Sequence, residues 1–397
     1  MRRRSPALAV PAAALTVLAL LAGLPADAQE SAGTRQAPAP WAQAAAKVQS
    51  TGQTPTPSGY AGSDPATWGN RRLAAQLVFS CVDIGHLDRA RRQAAAGIGG
   101  ITLLGSDPPA RLRARLRAVT AAAPTRVRPF IASDEEGGTV QRLREAIYRL
   151  PSARTMGSWR PARIRRTAEH YGVRMRALGV RMDLAPVADL AVRGRYIDSL
   201  GRAFSADPER VATADRAWRL GMGDARVATV LKHWPGHGSA TNSHTGPARV
   251  PPLDRLEGHD LLPFERELAD GAPVVMVGHL LSRGLTTGSV PTSLSPRALR
   301  YLRRSAGPDV VVLTDSLAMA AASSSLGISP ATATVRSLRA GADWAMACDA
   351  SPLRAVTAVR RALDAGTLDR QQAEASARRI LELKARWGLA PQAEVTP

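Results

Sequence analysis

The stretch Asp309-Val310-Val311-Val312-Leu313-Thr314-Asp315-Ser316 decides the fold. Its apolar, β-branched residues run on without alternating with polar ones. A strand of that kind is buried on both faces, as strands of parallel sheets are. A carboxylate, Asp315, stands where the strand ends. Runs of the same type recur at residues 75–81, 100–104, 129–133, 182–186, 228–232, 273–278 and 343–347. Between most of them lie amphipathic stretches rich in Ala and Arg, such as 162–178 and 208–221. Short buried strands alternating with helices imply parallel strands joined by helical crossovers. Eight such units predict an α/β fold of the (β/α)8 TIM-type barrel class, as a single catalytic domain over 66–397. The competing reading is a doubly wound open sheet. It would be favoured by a Gly-rich phosphate loop after the first strand, and none is there.

A barrel makes a demand: functional residues belong just after strands, at their C-terminal ends. The polar motifs obey it. Asp134-Glu135-Glu136-Gly137-Gly138 follows the third run, and Asp189 with the segment through Arg202 follows the fourth. Lys232-His233 follows the fifth, His279 the sixth and Asp315 the seventh.

The densest chemistry lies in Lys232-His233-Trp234-Pro235-Gly236-His237-Gly238-Ser239-Ala240-Thr241-Asn242-Ser243-His244, which holds three of the seven histidines. Its prolines and glycines forbid a continuous helix, so it is a shaped loop on a rigid scaffold. Three readings compete. The histidines could bind a metal, cap the loop, or do acid/base and binding work. A zinc site usually has carboxylates behind its ligands, and this loop has none, so no metal and no cofactor is expected. For Asp315 the plainer reading is an N-cap, and the sharper one is a nucleophile or base. The adjacent acids at Asp134 could be a solvated turn or a grip on sugar hydroxyls.

Three segments together resemble glycoside hydrolase family 3, in its β-N-acetylhexosaminidase branch. Residues 134–143 are similar to D-x-E-G-G-x-V-Q-R, 232–244 to K-H-F-P-G-H-G followed by D-S-H, and 313–319 to S-D-D/S-L-x-M. The likeness spans about residues 66–390. It implies a retaining mechanism with Asp315 as nucleophile and His244 as general acid/base, a task that suits an imidazole titrating near neutrality. It also implies that Asp134, Arg142, Arg202, Lys232 and His233 hold the sugar. Lys232 gains from composition, being one of three lysines (Lys47, Lys232, Lys384) beside fifty arginines.

One position departs from the pattern. The family has Asp two residues before the catalytic histidine, and here stands Asn242. An Asp would orient the imidazole and stabilise its cation; Asn carries no charge. The expectation is weakened hydrolysis. The leading function is thus an exported exo-β-N-acetylglucosaminidase acting on cell-wall muropeptides or chitin-type oligosaccharides. The alternatives are a β-glycosidase or phosphorylase of broader specificity, and a catalytically impaired barrel that binds amino-sugars.

The chain begins with Arg2-Arg3-Arg4, an apolar stretch, and Ala26-Asp27-Ala28. These are the parts of a secretory signal peptide over 1–28, cut before Gln29. The interruption at Pro11 argues against a membrane anchor, and no Cys stands near the cut for a lipid. Residues 29–65, rich in Ala, Pro, Gln, Thr, Gly and Ser, read as a flexible linker. The net charge of +20 first suggests nucleic acid. The arginines are scattered, however, and no nucleic-acid-binding signature accompanies them, so no specific nucleic acid is expected. Anionic cell-envelope polymers are the better partners for such charge. The chain is expected to act as a monomer. Its two cysteines, Cys81 and Cys348, end the first and eighth strands, which a closed barrel makes neighbours; a disulfide between them fits an exported protein.

Overall fold

The computed structural model describes residues 64–349 and 351–391. The expected signal peptide over 1–28 and nearly all of the expected linker over 29–65 lie outside the described residues.

Nine short strands build the centre: β1 (Val78–Asp83), β2 (Gly100–Leu104), β3 (Phe130–Ser133), β4 (Met182–Asp183), β5 (Ala228–Thr229), β6 (Leu231–Trp234), β7 (Val274–Val277), β8 (Val311–Thr314) and β9 (Ala345–Ala347). Nearly all their residues are buried, as the unbroken apolar runs require. The strands pair in parallel in two sheets, one in the order β9-β1-β2-β3-β4-β5 and one in the order β8-β7-β6. From β1 onward each strand is added beside the one before it, so the doubly wound order does not occur.

The pairing is not one closed eight-stranded ladder, contrary to the barrel expectation. The two sheets meet at single bridges instead. Leu313 bridges Trp344, and Val187 bridges Lys232. The ladder thins where the strands are short. Pro186 has no N–H to donate beyond β4, and the register slips between Val275 and Val277. The first strand also differs from its expected place. Residues 70–76 form helix α1 (Asn70–Gln76), whose last turn, Leu73 to Gln76, is buried all round. The strand therefore starts three residues late.

The longer helices among the described residues cover the strands: α2 (Leu87–Ala95), α3 (Leu112–Ala121), α4 (Pro161–Leu178), α5 (Pro208–Asp224), α6 (Leu262–Ala269), α7 (Pro296–Ala306), α8 (Pro330–Ala340), α9 (Pro352–Asp364) and α10 (Arg370–Arg386). Their ends are written in the sequence. Pro161 opens α4 and Gly179, left-handed at φ 101°, closes it. Asp207 caps α5 by accepting from the N–H groups of Glu209 and Arg210. No described helix is long and apolar enough to cross a membrane.

Beneath the strands, Phe79 and Phe130 meet Trp344 edge-on at 4.8 and 6.1 Å between ring centres. Ser80 pairs with Ala347 across β1 and β9, so the next residues, Cys81 and Cys348, face each other. They are joined as a disulfide with Cα atoms 4.7 Å apart.

Candidate active site

Asp134, Arg142, Arg202, Lys232, His233, His244 and Asp315 line one cavity of 450 Å³ at the C-terminal ends of the strands. Residues up to 181 apart in the chain meet there because each sits near the C-terminal end of a strand or in the loop that follows it. The disulfide lines the same cavity. Asn242 does not.

Lys232 and Glu136 are the hub. Lys232 Nζ lies 2.7 Å from Asp134 Oδ1 and 2.6 Å from Glu136 Oε1. The Arg202 fork donates to both Glu136 oxygens, through Nε at 2.7 Å and Nη2 at 2.8 Å. Burial alone would raise the Glu136 carboxyl. The Arg202 and Lys232 charges, with their hydrogen bonds, outweigh that and hold it well below the usual range. The same carboxylates raise Lys232 despite its burial. Arg142 stands farther off, with Nε 3.9 Å from Asp134 Oδ2.

A short antiparallel ribbon, Glu135–Gly137 against Val140–Gln141, presents the acids. Gly137 and Gly138 turn it with φ of 83° and 59°, a backbone that glycine adopts freely. The ribbon sends neighbouring acids opposite ways. Glu136 meets the cations, whereas Glu135 turns down to the hydroxyls of Ser133 and Tyr171 and the N–H of Leu143. Burial pushes Glu135 up to about 7.

The histidine loop hangs on Asp189. One oxygen of that carboxylate accepts from the backbone N–H groups of His233 and His237 at 3.1 and 2.7 Å. The other meets His233 Nδ1 at 2.7 Å. Asp189 is fully buried; the two histidines nonetheless hold it below the usual range. His237 Nε2 meets Ser243 Oγ at 3.0 Å, and burial drives its imidazole down to about 4. His244, at the exposed tip, faces Tyr196 with ring centres 6.5 Å apart. Asn242 does not touch its ring: Asn242 Oδ1 accepts the backbone N–H of His244 at 3.0 Å. That is an Asx turn.

Asp315 ends β8. Its backbone N–H donates to Val277, and its Oδ1 accepts the N–H of Ser316 at 2.7 Å. Burial would raise this carboxyl, but His233, His279, that N–H and His244 together bring it down to about 2. His279 works from behind. Its Nε2 lies 2.8 Å from the Ser316 carbonyl, which can only accept, so Nε2 carries a proton, and Nδ1 meets Ser293 Oγ at 2.7 Å. The arrangement combines an ionised carboxylate, an accessible imidazole and a fixed cluster of charged hydrogen-bonding groups. It can attack an electrophilic carbon, move a proton and hold a polyhydroxylated ligand.

The sequence assigns no site role to Glu136 or Tyr196, and it marks Asp189 and His237 only within their segments. Glu136 had a signal, since it stands in the quoted acidic motif. Tyr196 had none. No group of three or more His, Cys, Asp or Glu able to hold a metal ion occurs among the described residues.

The glycosyl hydrolase family 3 N-terminal domain matches residues 87–383. The chain belongs to that family. Beta-hexosaminidase LpqI of Mycobacterium tuberculosis is 39% identical over 334 residues, covering 81% of this chain and 84% of that protein. The crystal structure of a family 3 glycosyl hydrolase from Mycobacterium smegmatis superimposes with a TM-score of 0.73 at 36% identity, covering 80% of this chain and 97% of that one. A family 3 β-N-acetylglucosaminidase from Paenibacillus gives 0.75 at 29% identity, covering 82% of this chain and 64% of that one. This family 3 chain is thus a glycoside hydrolase, and its substrate is a carbohydrate.

Proposed function

We propose that the chain is an exported, retaining exo-β-N-acetylglucosaminidase. It removes terminal β-linked GlcNAc from cell-wall muropeptides or chitin-type oligosaccharides. The observation that carries this is one cavity shared by ionised Asp315, His244 and the Asp134–Lys232–Glu136–Arg202 cluster.

Asp315 attacks the anomeric carbon as His244 gives a proton to the departing glycosidic oxygen. The sugar is left as an ester on Asp315. A water then attacks the same carbon, His244 takes its proton, and Asp315 is released. Asp134, Arg202, Lys232, His233 and, less closely, Arg142 hold the sugar. In the same reading the two parallel sheets are halves of one (β/α)8 barrel over 66–397, supported by the bridges at Leu313–Trp344 and Val187–Lys232.

A panel of aryl glycosides decides the activity. The GlcNAc glycoside should be cleaved fastest, without a need for phosphate, and Asp315→Ala should be inactive. A faster glucoside, or a sugar phosphate as product, would replace the proposal with a broader glycosidase or a phosphorylase. The impaired amino-sugar-binding reading is favoured by one observation, the Asn242 side chain bonded to backbone; binding without turnover would establish it. Export is supported by Arg2–Arg4, the apolar stretch and Ala26-Asp27-Ala28. The secreted protein should begin at Gln29, and a recovered N-terminus at Met1 would refute export.

A further inference from the structure

We propose that a second cavity, at the opposite ends of the strands, binds an organic phosphate in which the phosphate is joined to a polyol or sugar. The cavity has a volume of 580 Å³ and is lined by Arg113, Arg117, Arg128, Arg176 and Arg181. The fold gathers them. Arg113 and Arg117 are one turn apart on α3, so they share a face. Arg128 and Arg181 stand just before β3 and β4, which are neighbours in the sheet. Arg176 lies in the last turn of α4.

Among the described residues no Asp or Glu lines this cavity, and none of the five arginines forms an ion pair. Elsewhere the helices pair their arginines: Arg165 with Asp224, Arg216 with Asp270, and Arg219 with Glu267. The gathered guanidiniums repel one another. Burial lowers Arg181, and the charges of Arg176, Arg226 and Arg128 lower it further. An anion would relieve that repulsion, and the guanidinium fork matches phosphate oxygens in pairs.

Size and lining narrow the ligand. The cavity is of small-molecule size, far larger than the roughly 30 Å³ that one water occupies, so it exceeds a bare oxyanion. Leu116, Ile131 and Leu389 form walls against which carbon can pack. No aromatic side chain lines it, so bases have no platform to stack on, which disfavours nucleic acid. A polyol or sugar phosphate fits both features. Held from this end, the molecule would keep the Asp315 cavity facing away from an anionic polymer. The proposal stands without the hydrolase reading.

Calorimetric titration of the full mature chain with poly(glycerol phosphate), at about 0.15 M salt, tests it. Binding should weaken roughly tenfold or more in Arg113→Gln/Arg117→Gln. The exposed pair on α7, changed as Arg297→Gln/Arg300→Gln, should leave it unaltered. Circular dichroism should be the same in both variants and the parent, which reports intact folding. Equal weakening in both variants would reduce the effect to diffuse charge and overturn the site. So would absence of binding, or equal affinity for a single-stranded oligonucleotide.

Discussion

The two ends of the strands treat positive charge in opposite ways. At the C-terminal ends Lys232, Arg202 and, more distantly, Arg142 all face carboxylates inside the cavity. At the N-terminal ends five arginines line a cavity with no carboxylate among the described residues. A balanced cluster keeps its geometry whether or not a ligand is present, and suits an uncharged sugar. An unbalanced cluster leaves its compensation to the ligand. The difference separates a site built to orient from a site built to attract.

Five substitutions test that contrast. The largest effect is expected at Asp315. In Asp315→Ala, hydrolysis of an aryl GlcNAc glycoside should fall on the order of 10⁴-fold or more, with folding retained by circular dichroism. A loss below tenfold would remove Asp315 from the chemistry.

The balance itself is tested by Lys232→Met, which takes one of two cations from buried Glu136. Urea unfolding should show a loss of about 3–5 kcal/mol. Arg113→Gln at the other end should change stability by less than about 0.5 kcal/mol. Similar losses at both positions would erase the contrast.

Glu135 sharpens it from within, since it adjoins Glu136 but meets no cation. Its carboxyl is raised by burial to about 7, so between the unfolded value near 4.5 and that point the folded protein binds the extra proton. Stability is therefore fully present below about 4.5 and falls as pH rises toward 7, by at most about 1.4 kcal/mol per pH unit. In Glu135→Gln that slope should become shallower, the remainder belonging to other carboxyls raised by burial such as Glu265. An unchanged slope would mean that Glu135 does not titrate in this range.

The smallest effect concerns the loop. Asn242→Asp should raise kcat about tenfold, by placing a charge beside His244 that the native Asn, bonded to backbone, lacks. A variant no faster than the native protein would dismiss Asn242 as the weak point.

Much of the upper cavity was legible because its residues come in local motifs that follow strands. Seven of the eight singled-out positions line it. Asn242 does not, because a short side chain in a turn meets its own backbone first. The α/β class was equally legible from apolar runs. Closure of the sheet was not, because pairing between strands depends on partners far apart in the chain. Asp189 stood in a noted segment, but its hold on His233 and His237 needs the loop's fold to be seen. The lower arginines were invisible for another reason: against fifty arginines, five that converge cannot be told from those that scatter.

The central claim is a covalent intermediate on Asp315. Its most direct test is mass spectrometry of the protein after incubation with an activated fluorinated GlcNAc donor, which traps the glycosyl-enzyme. One sugar adduct is expected, on the peptide carrying Asp315, and none in Asp315→Ala. An adduct on another residue, or turnover of the aryl GlcNAc glycoside with no trappable adduct, would contradict it.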